Sequence, residues 1–314
     1  MEKKSLIYVA GHTGFIGSAL VRSLKDSGFK NLILKTHKQL DLTDQEATER
    51  FFAKYRPEYV FLLAAKVGGI LANSTYPADF IFQNIAIQTN VLYAAFTYKV
   101  KKLLFLGSAC MYPKFCCQPM RPEYILAGPI ESTNEPFALA KICGLKMCEA
   151  YNKQYKTKFI CAIPATVYGH GDHYDENGHV VAGLLEKAYR AKINPTKNDL
   201  KVWGTGKPKR EFLFIDDAVN ACIFLMNNYN EAEPINIGTN EEISIKELAR
   251  KIRNTLNLKG EILFEREKPD GIPRRILDSS KIYSLGWRPK VFLDTGLKIT
   301  CEWYKKRNYE SQLR

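Results

Sequence analysis

Residues 5–10, Ser-Leu-Ile-Tyr-Val-Ala, are a short and largely apolar run that leads straight into Gly11-His-Thr-Gly14-Phe-Ile-Gly17. Such a run suits a strand covered on both faces. Helical periodicity follows over residues 15–26, Gly28 is placed to cap that helix, and a second strand is expected over residues 31–36. In a G-x-x-G-x-x-G turn between strand and helix the glycines allow, in order, a tight turn, close approach of backbone to a pyrophosphate, and close helix packing. The helix N-terminus adds partial positive charge. Glycines in this pattern are weak evidence alone, but the complete strand, turn, helix, strand unit predicts a dinucleotide cradle rather than an ordinary structural turn. Gly11, Thr13, Gly14, Phe15, Ile16 and Gly17 are its candidate contacts.

The end of the second strand bears on which dinucleotide is held, because NAD binders usually place a carboxylate there for the adenosine ribose. Here the residues are Lys35-Thr36-His37-Lys38. A basic cluster can pair a ribose phosphate, so NADP(H) is expected, with Lys35 and His37 beside it. The competing reading has solvated lysines and Asp41 on the ribose. Asp41 falls late for that role, and Asp41-Leu-Thr-Asp44 is better suited to opening the next helix or touching adenine.

Further strands fit residues 59–65, 103–108 and 159–164, and helices fit 77–98 and 135–155. Alternating strands and helices predict an α/β protein, a doubly wound parallel Rossmann sheet with its ligand crevice beyond the carboxyl ends of the strands. Ser108 stands at one such end. The helix over 135–155 has Ser132, Thr133 and Asn134 as N-cap candidates and Pro136 in its first turn. Within it Phe137 and Lys141 are four residues apart and share a face. In a Tyr-x-x-x-Lys pair the ammonium lowers the phenol's pKa and the phenol protonates the alkoxide left by hydride transfer. Phenylalanine keeps the ring and lacks the proton.

At 314 residues the chain has room for one large domain or two, and 46% apolar content without a long unbroken apolar stretch describes a globular protein with no membrane span. The N-terminus meets the first strand too soon for a signal peptide, and a cytoplasmic location is expected. Eight scattered cysteines lack paired C-x-x-C spacing, so neither a metal site nor a disulfide framework is indicated. The formal charge of +13 is spread out in twos and threes, without the basic run or interleaved aromatics of a nucleic-acid tract. It suits phosphorylated small molecules.

The glycine motif, Ser108 and the 137/141 pair together resemble the extended short-chain dehydrogenase/reductases, whose members use Ser, Tyr and Lys around a nicotinamide. Ala64-Ala-Lys-Val-Gly-Gly-Ile70, Thr75-Tyr-Pro-Ala-Asp-Phe80, Ser108-Ala-Cys-Met-Tyr-Pro-Lys114 and Thr133-Asn-Glu-Pro136 are similar to the GDP-L-fucose synthase branch of that family. So are Val202-Trp-Gly-Thr-Gly206, Arg210-Glu-Phe212 and Lys268-Pro-Asp-Gly-Ile-Pro-Arg-Arg275, and the likeness covers essentially the whole chain. The resemblance implies epimerisation at carbons 3 and 5 of a GDP-4-keto-6-deoxy sugar, followed by NADPH-dependent reduction at carbon 4. Ser108 would bond the substrate carbonyl and Lys141 the nicotinamide ribose. Cys110 and His179 would be the epimerisation base and acid. Leu42, Ala64, Ala65, Pro164 and His179 would line the cofactor, while Lys187, Trp203, Arg210, Asp278 and Lys281 would meet the GDP-sugar.

Position 137 would deliver the proton, so the chain is expected to be a Tyr-to-Phe variant impaired in reduction. Tyr112 is a possible substitute acid, although the family carries a tyrosine there too. The pattern is departed from at Ala109, Thr166 and Gly178. A reductase for a related GDP-4-keto-heptose that lacks the epimerase step is therefore a second reading, and an inactive binding protein for NADP(H) and a nucleotide sugar is a third. Residues 1–165, with about 208–228 returning, would form the NADP(H) domain and residues 166–314 the GDP-sugar domain. A homodimer is implied, through helices that include the one bearing Lys141.

Overall fold

The first strand, β1 (Ile7–Ala10), is buried along its whole length, as a run with apolar side chains on both faces requires. In the computed structural model, which describes residues 1–175, 178–194, 198–268 and 270–312, it begins a regular alternation. There follow α1 (Phe15–Asp26), β2 (Leu32–Ile33), α2 (Gln45–Tyr55), β3 (Tyr59–Leu62), α3 (Ile70–Thr75), α4 (Pro77–Thr97), β4 (Lys102–Leu106), α5 (Glu135–Tyr155) and β5 (Phe159–Pro164). The second half adds β6 (Thr166–Tyr168), α6 (Val180–Ile193), β7 (Leu200–Trp203), β8 (Lys209–Phe214), α7 (Ile215–Asn228) and β9 (Ile235–Ile237). It ends with β10 (Glu242–Ser244), α8 (Ile245–Thr255), β11 (Ile262–Glu265), β12 (Arg274–Arg275), α9 (Ser280–Ser284) and α10 (Leu293–Gln312).

Six strands form one parallel sheet in the order β2-β1-β3-β4-β5-β9, the doubly wound α/β arrangement expected from the alternation. The winding reverses at β1, so the crevice opens beyond the carboxyl ends of β1 and β3. β8 pairs with β6, β10 and β12 in a second sheet, and β7 with β11 in a third.

Some elements are shorter than the apolar patterns suggest. The strand expected over 31–36 is paired only at Leu32–Ile33, because the chain turns at Thr36, whose carbonyl takes the amides of Gln39 and Leu40. β4 ends at Leu106 rather than at Ser108, and Ser108 instead opens a single 3-10 turn over Ala109–Met111. Of the three candidate caps, Asn134 holds the N-cap position of α5, without a side-chain bond to the helix.

Two buried contacts join the sheets. Tyr112 Oη donates to Asn236 Oδ1 on β9 at 2.6 Å, and Asn236 donates in turn to the carbonyls of Met120 and Asp278. Glu211 on β8 accepts from the backbone of Thr239, Asn240 and Leu277. None of the described helices is long and apolar enough to cross a membrane.

Candidate active site

The turn after β1 is built so tightly that side chains would fill it. Gly11 has φ +86°, and a Cβ there would lie 2.7 Å from the Ala64 nitrogen. A Cβ on Gly17 would lie 2.0 Å from the Gly11 oxygen. Gly14 is the N-cap of α1 and supplies no side-chain acceptor, leaving the first-turn amides around Phe15 and Ile16 for a ligand. Thr13 is exposed beside them, and His12 Nδ1, in the same turn, is buried without a partner among the described residues. These residues fit the pyrophosphate of a dinucleotide.

Lys35 lies over the Tyr55 ring at 5.2 Å and His37 Nδ1 stands 3.8 Å from Asp41 Oδ1, both at the adenosine end of the crevice. Asp41 is engaged by Thr43, accepting its amide at 2.9 Å and its hydroxyl at 2.7 Å. Asp44 caps α2 by accepting from the Ala47 amide. Leu42 is buried and its carbonyl accepts from Asn90. Ala64 and Ala65 follow β3, and Pro164 closes β5.

At the reacting end, α5 carries Lys141 back over β4. Its Nζ is buried and donates to the Leu106 carbonyl at 2.9 Å. Burial pulls its pKa down to about 8, which still leaves an ammonium at neutral pH. The Phe137 ring lies 5.8 Å from that nitrogen and packs edge-on against Phe80. It has no proton to give. Ser108 Oγ accepts the Cys110 amide at 3.4 Å, and its side chain also reaches the Cys110 thiol, which sets the hydroxyl at the reacting end of the crevice. Tyr112 is no substitute acid: its hydroxyl is committed to Asn236, and burial drives its pKa far up.

Burial also pushes the Cys110 thiol up, while the Ser108 side chain and the charges of Arg275 and Lys141 pull it back. His179 behaves oppositely. Its Nδ1 meets both carboxylate oxygens of buried Asp172, at 2.9 and 3.1 Å, and that bond raises its pKa. The ring stands 6.4 Å from Phe15, so α6 and α1 bring it to the mouth of the cradle. An imidazolium whose Nε2 has no hydrogen-bond partner among the described residues is suited to giving a proton, and a thiolate to taking one.

Farther out, Lys187 and Lys268 lie over the half-exposed Trp203 ring at 4.8 and 5.5 Å. The turn after Trp203 is latched to the neighbouring segment by Asp270, which accepts from the Thr205 amide and hydroxyl. Arg210 donates to the carbonyls of Lys209 and Ile272, and burial pulls its pKa down to about 10. Asp278 pairs with Arg121 at 3.2 Å. Lys281 pairs with Glu231 at 2.7 Å and with Glu233 as well.

The structure thus gathers Ser108, Cys110, Phe137 and Lys141 around the ends of β4 and α5. Asp172, Arg275, Lys268 and Asp270 also belong to this crevice and carried no separate sequence signal, although three of them lie in the stretch from Lys268 to Arg275.

A glycine cradle at the switch point of a parallel sheet, with a serine and a buried lysine beyond its fourth strand, defines a nicotinamide-dependent enzyme of the short-chain dehydrogenase/reductase class. The chain belongs to the NAD dependent epimerase/dehydratase family, whose model matches residues 7–238. It is 49% identical over 306 residues to GDP-L-fucose synthase 1 of Arabidopsis thaliana, covering 97% of this chain and 94% of that protein. Its fold is similar to a GDP-6-OMe-4-keto-L-xylo-heptose reductase from C. jejuni, with TM-score 0.93, 39% identity and coverage of 98% and 99%. It is likewise similar to a GDP-mannoheptose C4 reductase from Campylobacter jejuni with NADP bound, with TM-score 0.89, 41% identity and coverage of 97% and 99%.

Proposed function

We propose that the protein reduces carbon 4 of a GDP-4-keto sugar, a 6-deoxyhexose or a heptose, with NADPH, and that Cys110 and His179 first epimerise the carbons beside the ketone. The observation that carries this reading is the buried Lys141 ammonium held on the Leu106 carbonyl, with Ser108 just beyond the same strand. NADPH supplies the hydride. Ser108 holds the carbonyl oxygen, Lys141 holds the nicotinamide ribose, and Lys187, Trp203, Arg210 and Asp278 hold the GDP-sugar. Lys35 and His37 face the adenosine phosphate. Residues 1–165, with 208–228 returning, form the cofactor unit and 166–314 the sugar-nucleotide unit.

Phe137 stands where proton delivery is needed, so this chain is a Tyr-to-Phe form that binds its ligands and reduces slowly. The test is transfer of deuterium from C4-deuterated NADPH to carbon 4 of GDP-4-keto-6-deoxymannose and of a GDP-4-keto-heptose by the Phe137→Tyr variant. Label at carbon 4 supports the reading, and its absence from both sugars refutes it. Tight binding of NADPH and GDP-sugar without transfer would favour a binding-only protein, the reading to which Phe137 itself lends weight. Deuterium entering carbons 3 and 5 from solvent separates the epimerase-reductase from a reductase alone.

The exposed apolar side chains Phe82 and Tyr93 on α4 and Leu139 and Tyr155 on α5 support a homodimer across these helices, testable by solution mass. A cytoplasmic location accords with cysteines that are all unpaired.

A further inference from the structure

The two arginines of β12 point in opposite directions, as side chains on successive strand residues do. Arg274 faces out and pairs with Glu242 at 2.7 Å. Arg275 faces in. It is in register with Arg210 on β8, and both guanidiniums have their pKa lowered, chiefly by burial. Among the described residues no carboxylate pairs with Arg275: the acid whose charge acts on it, Glu131, is itself held by Lys114 at 3.1 Å. The strand is fixed against the loop that follows Cys110, because Ile276 donates to Gln118 Oε1 and accepts from the Met120 amide, and Leu277 bridges Met120. Asn236 ties this segment to the turn that carries Cys110, accepting from Tyr112 Oη and donating to the carbonyls of Met120 and Asp278, so a half-buried cation with no carboxylate partner among the described residues stands three residues from that junction.

We propose that Arg275 is a positioning residue of the reacting centre, presented from β12 as the counter-ion of the Cys110 thiolate. This rests on the epimerisation proposed for Cys110 and His179. The charged groups acting on the thiol are Lys141 from α5 and Arg275 from β12, with Ser108 Oγ beside it; Glu131 and Cys116 act on Arg275 in turn, and Arg275 acts on Arg210. In the step they serve, the thiolate takes the proton from carbon 3 or 5 and the C–H electron pair moves onto the carbon-4 oxygen as an enolate. The His179 imidazolium then protonates that carbon from the opposite face, and the pair returns from the oxygen. One negative charge passes from sulfur to oxygen and is neutralised by the imidazolium proton. The thiol and neutral imidazole left behind are reset by proton exchange with water. Arg275 offsets the anion at its start on sulfur, and Lys141 lies beside it as well.

The experiment follows alkylation of Cys110 by iodoacetamide against pH, read by peptide mass, in the whole chain and in Arg275→Met, Arg275→Gln and Arg275→Lys, with NADPH binding as the folding control. The expected result is a midpoint raised by about one pH unit in Arg275→Met and Arg275→Gln, a tenfold loss of thiolate at neutral pH, with return toward the original in Arg275→Lys. An unchanged midpoint in the neutral variants overturns the proposal. So does an equal rise in Arg275→Lys. If Arg275→Met fails to fold, the contrast between Arg275→Gln and Arg275→Lys decides. Solvent deuterium exchange at carbons 3 and 5 is measured alongside. Its absence from the unaltered chain removes the epimerisation reading, while the Cys110 titration still reports whether Arg275 is its counter-ion.

Discussion

The Lys141 ammonium brings positive charge to a region where the ring beside it, Phe137, can neither lose nor pass on a proton. Restoring the hydroxyl with Phe137→Tyr is expected to raise reductive turnover about a hundredfold to ten-thousandfold, the usual range for general-acid help. The gain belongs in kcat, since the ring already fills its place and ground-state binding has little to regain. Steady-state kinetics together with an NADPH titration check both parts. His179 gives a second prediction. Its folded pKa lies above the ordinary 6.5 because of Asp172, so the pair's contribution to stability is fully present below 6.5 and is lost as pH rises through the raised value. Asp172→Asn should erase that dependence and move deprotonation of His179 to lower pH, visible in an NMR titration of the ring. The 137/141 pair was legible in the sequence because helical spacing alone puts both residues on one face. Asp172 was not, since a carboxylate seven residues before a histidine meets it only if the intervening loop folds back. The ion pairs of Lys281 were not legible for the same kind of reason: the acids that hold it lie some fifty residues away in the chain.

At the level of elements, α5 sits as close to the sheet as it does because of Gly144, one turn beyond Lys141 along the helix. A Cβ there would come within 2.5 Å of the Phe105 ring and 2.7 Å of Gln88 Oε1. Gln88 in turn donates to the Ala140 carbonyl at 2.6 Å, so α4, α5 and β4 meet at one point. Gly144→Ala should overpack this point at a cost of about 1–3 kcal/mol and draw Lys141 away from the Leu106 carbonyl. Denaturant unfolding measures the first effect and weakened NADPH binding the second. Neither loss would leave the close approach without its assigned importance. Gly17→Ala should act on the cradle itself, because the added carbon would fall 2.0 Å from the Gly11 oxygen. Weaker NADPH affinity with little change for GDP is expected, and an affinity equal to that of the unaltered chain would count against the cradle. α1, α5 and β5 were legible to the residue, since caps, prolines and unbroken apolar runs mark their ends. β2 was not, because its turn is set by Thr36, Gln39 and Leu40 and not by any glycine or proline.

For the molecule as a whole, alternation of strand and helix made the main sheet readable, whereas the second sheet collects short strands far apart in sequence, which no local pattern can pair. Glu211 is the residue on which that assembly converges. It is buried on β8 and accepts from Thr239 and Asn240 beyond β9 and from Leu277 beyond β12. Space for it exists only because residue 238 is glycine, where a Cβ would lie 2.2 Å from Glu211 Oε1. Burial pushes its pKa up from 4.5 to about 7, although the backbone amides around it favour the carboxylate. The folded state therefore binds this proton more tightly than the unfolded state does. Its contribution is fully present below 4.5 and is lost as pH rises toward and through about 7, so stability should decline over that window. Glu211→Gln cannot titrate and should remove this part of the slope. It should also lower the melting temperature throughout, since the amide that replaces Oε2 would face the Leu277 N–H as a second donor. Melting temperatures of both proteins between pH 4.5 and 8 supply the check, and parallel curves would show that Glu211 is ionised in the folded state across the whole range.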